Sequence, residues 1–356
     1  MTSPVISLRQ QLLKSTLKTN LTSSECRRSQ LPELSVLPNS SALFVRRYFA
    51  GATISKEYCE SFAKFCCDDP EKAGAIFSST LRQQFPLRRS YERKVLKSLI
   101  GILEGLNKEI PNEIFEAIGE CMIDHTSTSH RVFFNNSENY VVIRECNEQL
   151  SQGTTGLSCW QASCHLANLL SLVDLSGKAV IELGAGCGLT GISVSAWQPV
   201  DRVCLTDFDS NVLAQLNHNV QLNFQGRKNN VSVESIDFMN FTPETLTFDA
   251  DVVIGADIVY DRSILDGLSK TISHILSKKQ ESVCVIASTL RNPDTLVAFD
   301  EALERNGLSV IESARIQDDR IEFDDDCSAS FALPQVFHFS GLQCPTVVYL
   351  ISRKLF

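Results

Sequence analysis

One stretch constrains the fold of this chain more than any other: residues 178–191 read Lys-Ala-Val-Ile-Glu-Leu-Gly-Ala-Gly-Cys-Gly-Leu-Thr-Gly. Val180 and Ile181 predict a short buried strand that Glu182 closes, and the residues from Leu189 onward predict a helix. The glycines between them predict a turn, because glycine allows unusual dihedral angles and lets a ligand approach the main chain closely. A strand, a glycine turn and a helix N-terminus together predict a nucleotide-binding loop at the carboxyl edge of a parallel sheet.

The spacing of the glycines allows two interpretations. Glu182, Gly184, Gly186 and Gly188 form acid-x-G-x-G-x-G, the pattern of S-adenosylmethionine (SAM) sites. Gly186, Gly188 and Gly191 also satisfy G-x-G-x-x-G, the dinucleotide fingerprint. The first glycine directly follows the predicted strand, and Glu182 stands two residues before it, which favours SAM. A dinucleotide-dependent oxidoreductase and a glycine turn without a ligand are the less favoured alternatives.

The chain that follows alternates between strand patterns and helix patterns. Strand patterns fall at residues 202–207, 231–236, 250–257, 282–287, 308–311 and 346–351. This alternation requires an α/β fold with a mostly parallel, doubly wound sheet. No long helix separates the last two strand patterns, which predicts an antiparallel edge. The acidic residues 322–326 predict a solvated loop.

The first third of the chain has a different pattern. From Ser41 to about Ile123, apolar residues recur three and four positions apart, as they do in helices. Residues 131–134 and 140–143 predict a β-hairpin. The predicted domains are a poorly defined N-terminal segment at 1–40, an α-helical accessory domain at 41–130 and the α/β domain at 131–356.

Composition limits the class of protein. The net charge of −9 argues against a general nucleic-acid-binding surface. The thirteen cysteines form no Cys-x-x-Cys pair, which favours reduced thiols in a cytoplasmic protein over a disulfide framework or a metal site. No apolar stretch reaches membrane-spanning length, so no membrane is expected. Arg9, Lys14 and Lys18 give the start a faint likeness to a mitochondrial presequence, the less favoured alternative.

Residues at other predicted strand ends suit the parts of SAM. Asp207 ends the second strand, where a carboxylate can accept both ribose hydroxyls; its alternative role is to cap the next helix. Asp237 and Phe238 end the third strand, where a carboxylate can accept the exocyclic amine of adenine and a ring can stack on it. Trp160 follows the polar residues 153–156, and its indole is expected to cover a ligand. The alternative for Phe238 and Trp160 is packing in the core.

Asp257 and Tyr260 follow the fourth predicted strand, opposite the glycine turn. Ligands of open α/β sheets bind outside the carboxyl ends of the strands, so both are expected to face the transferred methyl group as catalytic residues. Methyl transfer mainly requires that the reactants be positioned. If the acceptor is a lysine, these side chains could hold its amine, whose pKa falls in a desolvated site. The alternative is a buried strand-end acid with a packing tyrosine.

Three segments together resemble the seven-strand protein-lysine methyltransferases with an Asp-x-x-Tyr motif. They are Gly-Thr-Thr-Gly-Leu-Ser-Cys-Trp at 153–160, Val-Ile-Glu-Leu-Gly-Ala-Gly-Cys-Gly at 180–188 and Asp-Ile-Val-Tyr at 257–260. Leu-Arg-Asn-Pro-Asp at 290–294 resembles the branch that methylates a lysine of eukaryotic elongation factor 2, which has a helical N-terminal region. The resemblance implies a Rossmann-like class I methyltransferase core, SAM as cofactor and elongation factor 2 as protein partner. It is close from about 153 to 296 and poor over 1–40 and 312–345.

The resemblance also implies cofactor-binding residues. In that family, cofactor contacts fall on the residues that match Trp160, Gly184, Ala185, Gly186, Asp207 and Ala256. The family usually has tryptophan where this chain has Phe238, which keeps the stacking face and loses the indole N–H. Alternatives are SAM-dependent methylation of another protein or a small molecule, and a non-catalytic SAM-binding scaffold. The sequence does not fix the oligomeric state, and a monomer is the working expectation.

Overall fold

The computed structural model describes most of the chain. The described residues are 7–15, 31, 34, 37–123, 126–135, 138–148, 153–225, 230–246, 248–324, 326–339 and 344–354. Much of the predicted N-terminal segment 1–40 lies outside them. The chain divides into two compact units, one formed by Glu25–Gln149 with Val336–Ser340 and the other by Met1–Ser24, Leu150–Gln335 and Gly341–Phe356.

The helices and strands are numbered in chain order. The α-helices are α1 Leu8–Ser15, α2 Asn39–Phe49, α3 Lys56–Asp68, α4 Pro70–Phe77, α5 Thr80–Gln84, α6 Arg89–Gly105, α7 Asn112–Glu120, α8 Gln161–Leu170, α9 Leu189–Trp197, α10 Ser210–Phe224, α11 Leu265–Ser277 and α12 Pro293–Arg305. The strands are β1 Thr128–Phe134, β2 Tyr140–Cys146, β3 Ala179–Leu183, β4 Arg202–Asp207, β5 Val231–Ser235, β6 Val252–Ala256, β7 Val283–Thr289, β8 Leu308–Gln317, β9 Arg320–Phe323, β10 Asp326–Ala332 and β11 Thr346–Arg353. Short 3₁₀ turns occupy Pro243–Thr245 and Arg262–Ile264.

The first unit consists of α2–α7 and the hairpin β1–β2. Its core contains aromatic rings, such as Phe44 and Phe62, whose centroids lie 4.1 Å apart. The hairpin strands pair antiparallel, as predicted, and only with each other among the described strands. Arg131 of β1 donates to the carbonyl of Ala50 at 2.7 Å, directly after α2. The hairpin therefore groups with the helices, although the sequence assigned it to the α/β domain that was predicted to start at residue 131.

The second unit contains a nine-stranded sheet in the order β10-β9-β8-β11-β7-β6-β3-β4-β5. Strand β3 pairs in parallel with β4 and β6, and β5 and β7 continue the parallel part outward. The predicted α/β class with a mostly parallel sheet is confirmed. The carboxyl ends of β3, β4, β5, β6 and β7 therefore lie along one edge of the sheet.

The antiparallel part of the sheet is larger than expected. Strands β8 and β11 pair antiparallel, but β11 lies between β7 and β8 rather than at the edge. The edge is formed by β9 and β10, where the sequence predicted only an acidic loop. The buried residues Ile321 and Phe323 alternate with exposed ones in β9, and this period of two is what a half-buried strand requires.

Helix α1 also belongs to the second unit. Leu8 and Leu12 are buried, and the Glu312 carboxylate of β8 accepts a hydrogen bond from the backbone nitrogen of Leu8 at 2.7 Å. The side chain of Gln11 accepts another from the backbone nitrogen of Asp174 at 2.9 Å. This part of the predicted N-terminal segment is thus a packed helix.

Three further properties apply to the described residues alone. None of their helices combines the length and the apolar character needed to cross a membrane. Among them, no cluster of three or more His, Cys, Asp or Glu side chains is arranged to hold a metal ion. The cysteine side chains that the structure describes, which do not include those of Cys26 and Cys327, are free thiols.

Candidate active site at the carboxyl edge of the sheet

The turn after β3 needs glycine for both conformation and space. Gly184, Gly186 and Gly188 have φ angles of +59°, +54° and +83°, in the left-handed region that other residues seldom adopt. A Cβ on Gly184 would lie 2.5 Å from a methyl carbon of Ile258. A Cβ on Gly186 would lie 3.1 Å from the carbonyl oxygen of Gly156. The main chain of this loop is therefore closely packed at Gly184 and Gly186.

Hydrogen bonds from the loop to β4 fix the position of the loop. The backbone nitrogen of Ala185 donates to the carbonyl of Thr206 at 2.7 Å, and that of Gly186 donates to Oδ2 of Asp207 at 3.1 Å. Oδ1 of Asp207 accepts from the backbone nitrogen of Phe208 at 2.8 Å. Burial raises the pKa of Asp207, and the backbone donors oppose that shift. Asp207 is thus an acceptor at the loop, as a ribose-binding acid would be.

The helix-capping alternative for Asp207 is wrong. Asp209 is the residue before α10, and its Oδ1 accepts hydrogen bonds from the backbone nitrogens of Asn211 and Val212 at 2.8 and 3.1 Å. The sequence offered two acids near the start of this helix, and the one that lies directly before it takes the cap. Asp207 remains available to the glycine loop.

Glu182 lies behind the loop. Its buried carboxylate accepts a hydrogen bond from the backbone nitrogen of Gly191, in the first turn of α9, at 2.9 Å. Burial raises the pKa of Glu182 to about 8. In this position Glu182 stabilises the passage from the loop to α9. Its predicted contact with the cofactor stays a prediction.

The segment before α8 lies against the loop. Cys187 Sγ lies 3.5 Å from the carbonyl oxygen of Gly156, which also faces Gly186. Trp160 is half-buried, and its indole N–H donates to the carbonyl of Thr155 at 2.9 Å. The segment 153–160 therefore touches the glycine loop through the main chain of Gly156.

Two Asp-Phe pairs stand at the ends of the neighbouring strands β4 and β5. Asp237 accepts hydrogen bonds from the Asn240 side chain and the backbone nitrogen of Met239, both at 2.8 Å, and the former bond is the main reason that its pKa is lowered. Phe238 is half-buried against the core of the unit. Phe208 is 62% exposed, which is unusual for so large an apolar side chain.

Phe208 is not among the site residues predicted from the sequence. The signal was present, because an aromatic residue directly follows the predicted ribose acid just as Phe238 follows Asp237. An exposed ring and a half-buried ring at adjacent strand ends offer two apolar faces for a flat heterocycle.

Asp257 follows β6 with a φ of +54°, which is rare for a residue other than glycine. Its Oδ1 accepts from the backbone nitrogen of Thr289 at 2.8 Å, and its Oδ2 accepts from Thr289 Oγ1 at 3.1 Å and from the backbone nitrogen of Ala162 at 3.2 Å. Arg291 lies 3.5 Å from Oδ2. With a side chain only 4% exposed, Asp257 has the burial that the alternative interpretation expected.

Tyr260 differs from Asp257 in being open to solvent. Its side chain is 57% exposed on the loop after β6. The pKa of Tyr260 is raised by partial burial and, to a lesser degree, by the negative charges of Asp207 and Asp261. Ala256 ends β6 and is half-buried. Of the two predicted catalytic side chains, Tyr260 is the accessible one.

These groups suit SAM. The loop at 184–188 turns from β3 into α9 through three glycines with positive φ, which suits a ligand site at a helix N-terminus. The Asp207 carboxylate suits a ribose, and Phe208 and Phe238 suit an adenine. The predicted site residues all lie at this edge of the sheet or in the segment before α8.

Comparison with known proteins gives the same result. The sequence profile of the family described as Lysine methyltransferase matches residues 141–305. Protein-lysine N-methyltransferase EEF2KMT of Mus musculus is 30% identical over 233 residues, which are 61% of this chain and 70% of that protein. The Homo sapiens protein of the same name is 29% identical over 287 residues, 74% of this chain and 87% of that protein.

A solved structure is also similar. The crystal structure of M. jannaschii TYW2 in complex with AdoMet matches 65% of this chain and 90% of its own, with 15% identity and a TM-score of 0.39. The family profile and the relatives, for their part, rule out the oxidoreductase interpretation of the glycines. The chain belongs to the lysine methyltransferase family and is a SAM-dependent protein-lysine N-methyltransferase.

Proposed function

We propose that this enzyme transfers methyl groups from SAM to a lysine of eukaryotic elongation factor 2. The observation that carries the proposal is the extent of the likeness to the human EEF2KMT, which covers 74% of this chain. The family profile covers only residues 141–305. The core matched by the family profile is common to the whole family, so it does not distinguish one acceptor from another. A likeness that continues beyond this core therefore supports a shared acceptor. A cytoplasmic location is part of the same proposal.

The charge of the carboxyl edge supports a cationic acceptor. The loops that follow β4, β5 and β6 carry the acids Asp209, Asp237 and Asp261 beside the proposed cleft. Arg262 is the basic residue within the described part of these three loops, and its guanidinium donates to the carbonyl of Asp294. A locally negative edge attracts a lysine-bearing segment and disfavours an acidic one.

The proposed cofactor contacts follow the geometry of the loop. The main chain at 184–188 would hold the methionine part, Asp207 the ribose, and Asp237 with Phe238 and Phe208 the adenine. Trp160 and Ala256 would border the cleft. When bound, SAM supplies an electrophilic methyl group.

Tyr260 is the residue we propose to contact the acceptor amine. Methyl transfer is an in-line displacement at carbon, so the amine must be neutral and aligned. The exposed phenol oxygen of Tyr260 can accept a hydrogen bond from an N–H of the amine, which directs the nitrogen lone pair toward the cleft. Removal of water around the amine lowers its pKa and favours the neutral form.

The test is a transfer assay with tritiated SAM on a lysate of cells that lack this protein. We expect one labelled band at the mass of elongation factor 2, and mass spectrometry should place the label on a single lysine. The same assay on purified elongation factor 2 with that lysine replaced by arginine should give no label. A single band of another mass would reject elongation factor 2 as the acceptor and keep the enzyme class.

A further inference from the structure

The Asp257 carboxylate is held by donors from within the protein. It accepts three hydrogen bonds, from the backbone nitrogen and hydroxyl of Thr289 and from the backbone nitrogen of Ala162. Arg291 adds an ion pair at 3.5 Å from Oδ2. Because the side chain is also only 4% exposed, an acceptor amine has little access to it.

The donors belong to parts of the fold that surround the proposed cofactor site. Thr289 ends β7, and Ala162 lies in the first turn of α8, two residues after Trp160. The guanidinium of Arg291 lies 5.0 Å from the centroid of the Trp160 ring, which is the geometry of a cation–π contact. Asp257 thus holds Trp160 from two directions, through the chain at Ala162 and through the ring at Arg291.

Trp160 in turn connects to the glycine loop. Its indole N–H donates to the carbonyl of Thr155, and the next residue, Gly156, faces Gly186 with its carbonyl. Asp257 is therefore linked to the segment 153–160 and through it to the loop. Its own main chain has a rare positive φ, which persists only where the surroundings require it.

We propose that Asp257 is a positioning residue. By holding Ala162 and Arg291 it fixes Trp160 and the segment 153–160 against the glycine loop, and it makes no contact with the acceptor lysine. Arg291 shares this role, because it joins the carboxylate to the indole. The proposal applies to the established methyltransferase activity, and only its turnover measurement uses elongation factor 2.

The two possible roles of Asp257 have different consequences. A carboxylate that binds the acceptor amine affects kcat and the KM for the protein acceptor, and it leaves Trp160 undisturbed. If the carboxylate positions Trp160, its substitution changes the SAM affinity and the surroundings of the indole. The change around the indole is then seen even when neither substrate is present.

The experiment follows Trp160 directly. The chain has two tryptophans, so the Trp197→Phe background leaves Trp160 as the sole tryptophan emitter. In this background Asp257→Asn removes the charge at nearly constant volume and replaces acceptors with an amide that also donates. We expect the acrylamide quenching constant of Trp160 in the free protein to rise about twofold or more. We expect the Kd for SAM to rise about tenfold or more, while kcat at saturating SAM stays within about tenfold.

Two further variants separate positioning from a loss of folding. Arg291→Gln leaves the buried carboxylate in place and removes the partner of the indole, so Trp160 quenching and the SAM Kd should both rise. Arg291→Lys keeps the charge and should restore part of the SAM affinity but not the planar contact. Asp294→Asn changes an exposed acid in the first turn of α12, three residues after Arg291, and should leave all three measurements as in the parent protein.

Clear results would overturn the proposal. If Asp257→Asn lowers kcat at saturating SAM by more than about a hundredfold, Asp257 acts at the acceptor. Unchanged Trp160 quenching in Asp257→Asn would also reject the positioning role, because Asp257 would then not hold Trp160. If that variant does not fold, Arg291→Gln decides, because unchanged quenching and SAM affinity there would reject the link. If elongation factor 2 is not methylated, the quenching and SAM-binding results still judge the proposal.

Discussion

The Oδ2 atom of Asp207 accepts a hydrogen bond from the backbone nitrogen of Gly186 at 3.1 Å. One carboxylate at the end of β4 therefore helps to position the glycine loop after β3. The same group is the proposed acceptor for the ribose hydroxyls. A single side chain consequently contributes both to the position of the loop and to the proposed binding of ribose.

Asp207→Ala is expected to weaken SAM binding about 10- to 100-fold, because a hydrogen bond to a charged group contributes about 1.5–3 kcal/mol. Isothermal titration calorimetry measures the Kd. Asp209→Asn is the matched control, since asparagine also caps a helix, and its Kd should stay within about threefold. An Asp207→Ala Kd equal to that of the control would remove Asp207 from the cofactor site.

Gly186→Ala should reduce both stability and SAM affinity. Its φ of +54° costs a side-chain-bearing residue about 1–2 kcal/mol, and its Cβ would press on the carbonyl of Gly156. Gly177→Ala is the control, because Gly177 has a φ of +67° and, among the described residues other than its two chain neighbours, no atom lies within 4 Å of the added Cβ. Thermal melting should show a loss in both variants, and SAM titration a loss in Gly186→Ala alone. Equal SAM affinities would mean that the loop does not carry the cofactor.

Glu182 should make stability depend on pH. Its folded pKa of about 8 lies above the value of about 4.3 in an unfolded chain. The folded state therefore binds this proton more tightly, and the stabilisation present below about pH 4 is lost as the pH rises toward 8. Glu182→Gln keeps an acceptor for Gly191 and cannot ionise. Its free energy of unfolding minus that of the parent protein should therefore be larger at pH 8.5 than at pH 5.5, by roughly 2–5 kcal/mol. Urea unfolding of both proteins at both pH values measures this. If the stability difference between variant and parent is the same at both pH values, the pKa of Glu182 is not raised in the folded protein.

Tyr260→Phe should lower kcat about 10- to 100-fold and leave the SAM Kd unchanged, since the phenol is proposed to contact only the acceptor amine. Steady-state kinetics of methyl transfer to elongation factor 2 measure kcat, and calorimetry with SAM measures the Kd. Tyr58→Phe, in the helical unit, is the control and keeps the ring that faces Arg47. Normal turnover in Tyr260→Phe would exclude a role for the hydroxyl.

The packing of α1 can be tested with adjacent leucines. Leu12 is 1% exposed and Leu13 is 53% exposed. Leu12→Ala should destabilise the protein by about 2 kcal/mol or more, whereas Leu13→Ala should change the free energy of unfolding by less than about 0.5 kcal/mol. Denaturant unfolding of both variants provides the comparison, and equal effects would contradict the buried position of Leu12.

The parts of the fold that could be predicted are those set by local pattern. The strand, glycine turn and helix at 178–191, and the acids at strand ends, follow from neighbouring residues and from the parallel topology. The edge strands β9 and β10 were not predicted. The acidic segment 322–326 indicated a solvated loop, and the alternation of apolar and polar residues around Ile321 is too short to indicate a strand by itself. The association of the hairpin with α2 could not be seen, because it depends on pairings between distant residues such as Arg131 and Ala50.

The environment of Asp257 shows the same limit within the site. Its motif and its position after β6 could be predicted. Its donors lie 95 residues before it, at Ala162, and 32 residues after it, at Thr289. No local pattern states that these groups meet, so the sequence suggested an open carboxylate where the structure has an occupied one. Tyr260 lies in the loop after β6 and is exposed, and its predicted position facing the transferred methyl group stays a prediction.

The contact between Leu8 and Glu312 spans 304 residues of chain. During synthesis α1 leaves the ribosome early, and the strand that receives it is made only when most of the chain has followed. The packing of α1 is therefore delayed until β8 is made, whereas Glu25–Gln149, the main part of the helical unit, precedes β8 in the chain and can begin to fold earlier. The catalytic unit is consequently completed late in translation, and a nascent chain cut short before β8 would leave Leu8 and Leu12 exposed for chaperones to bind.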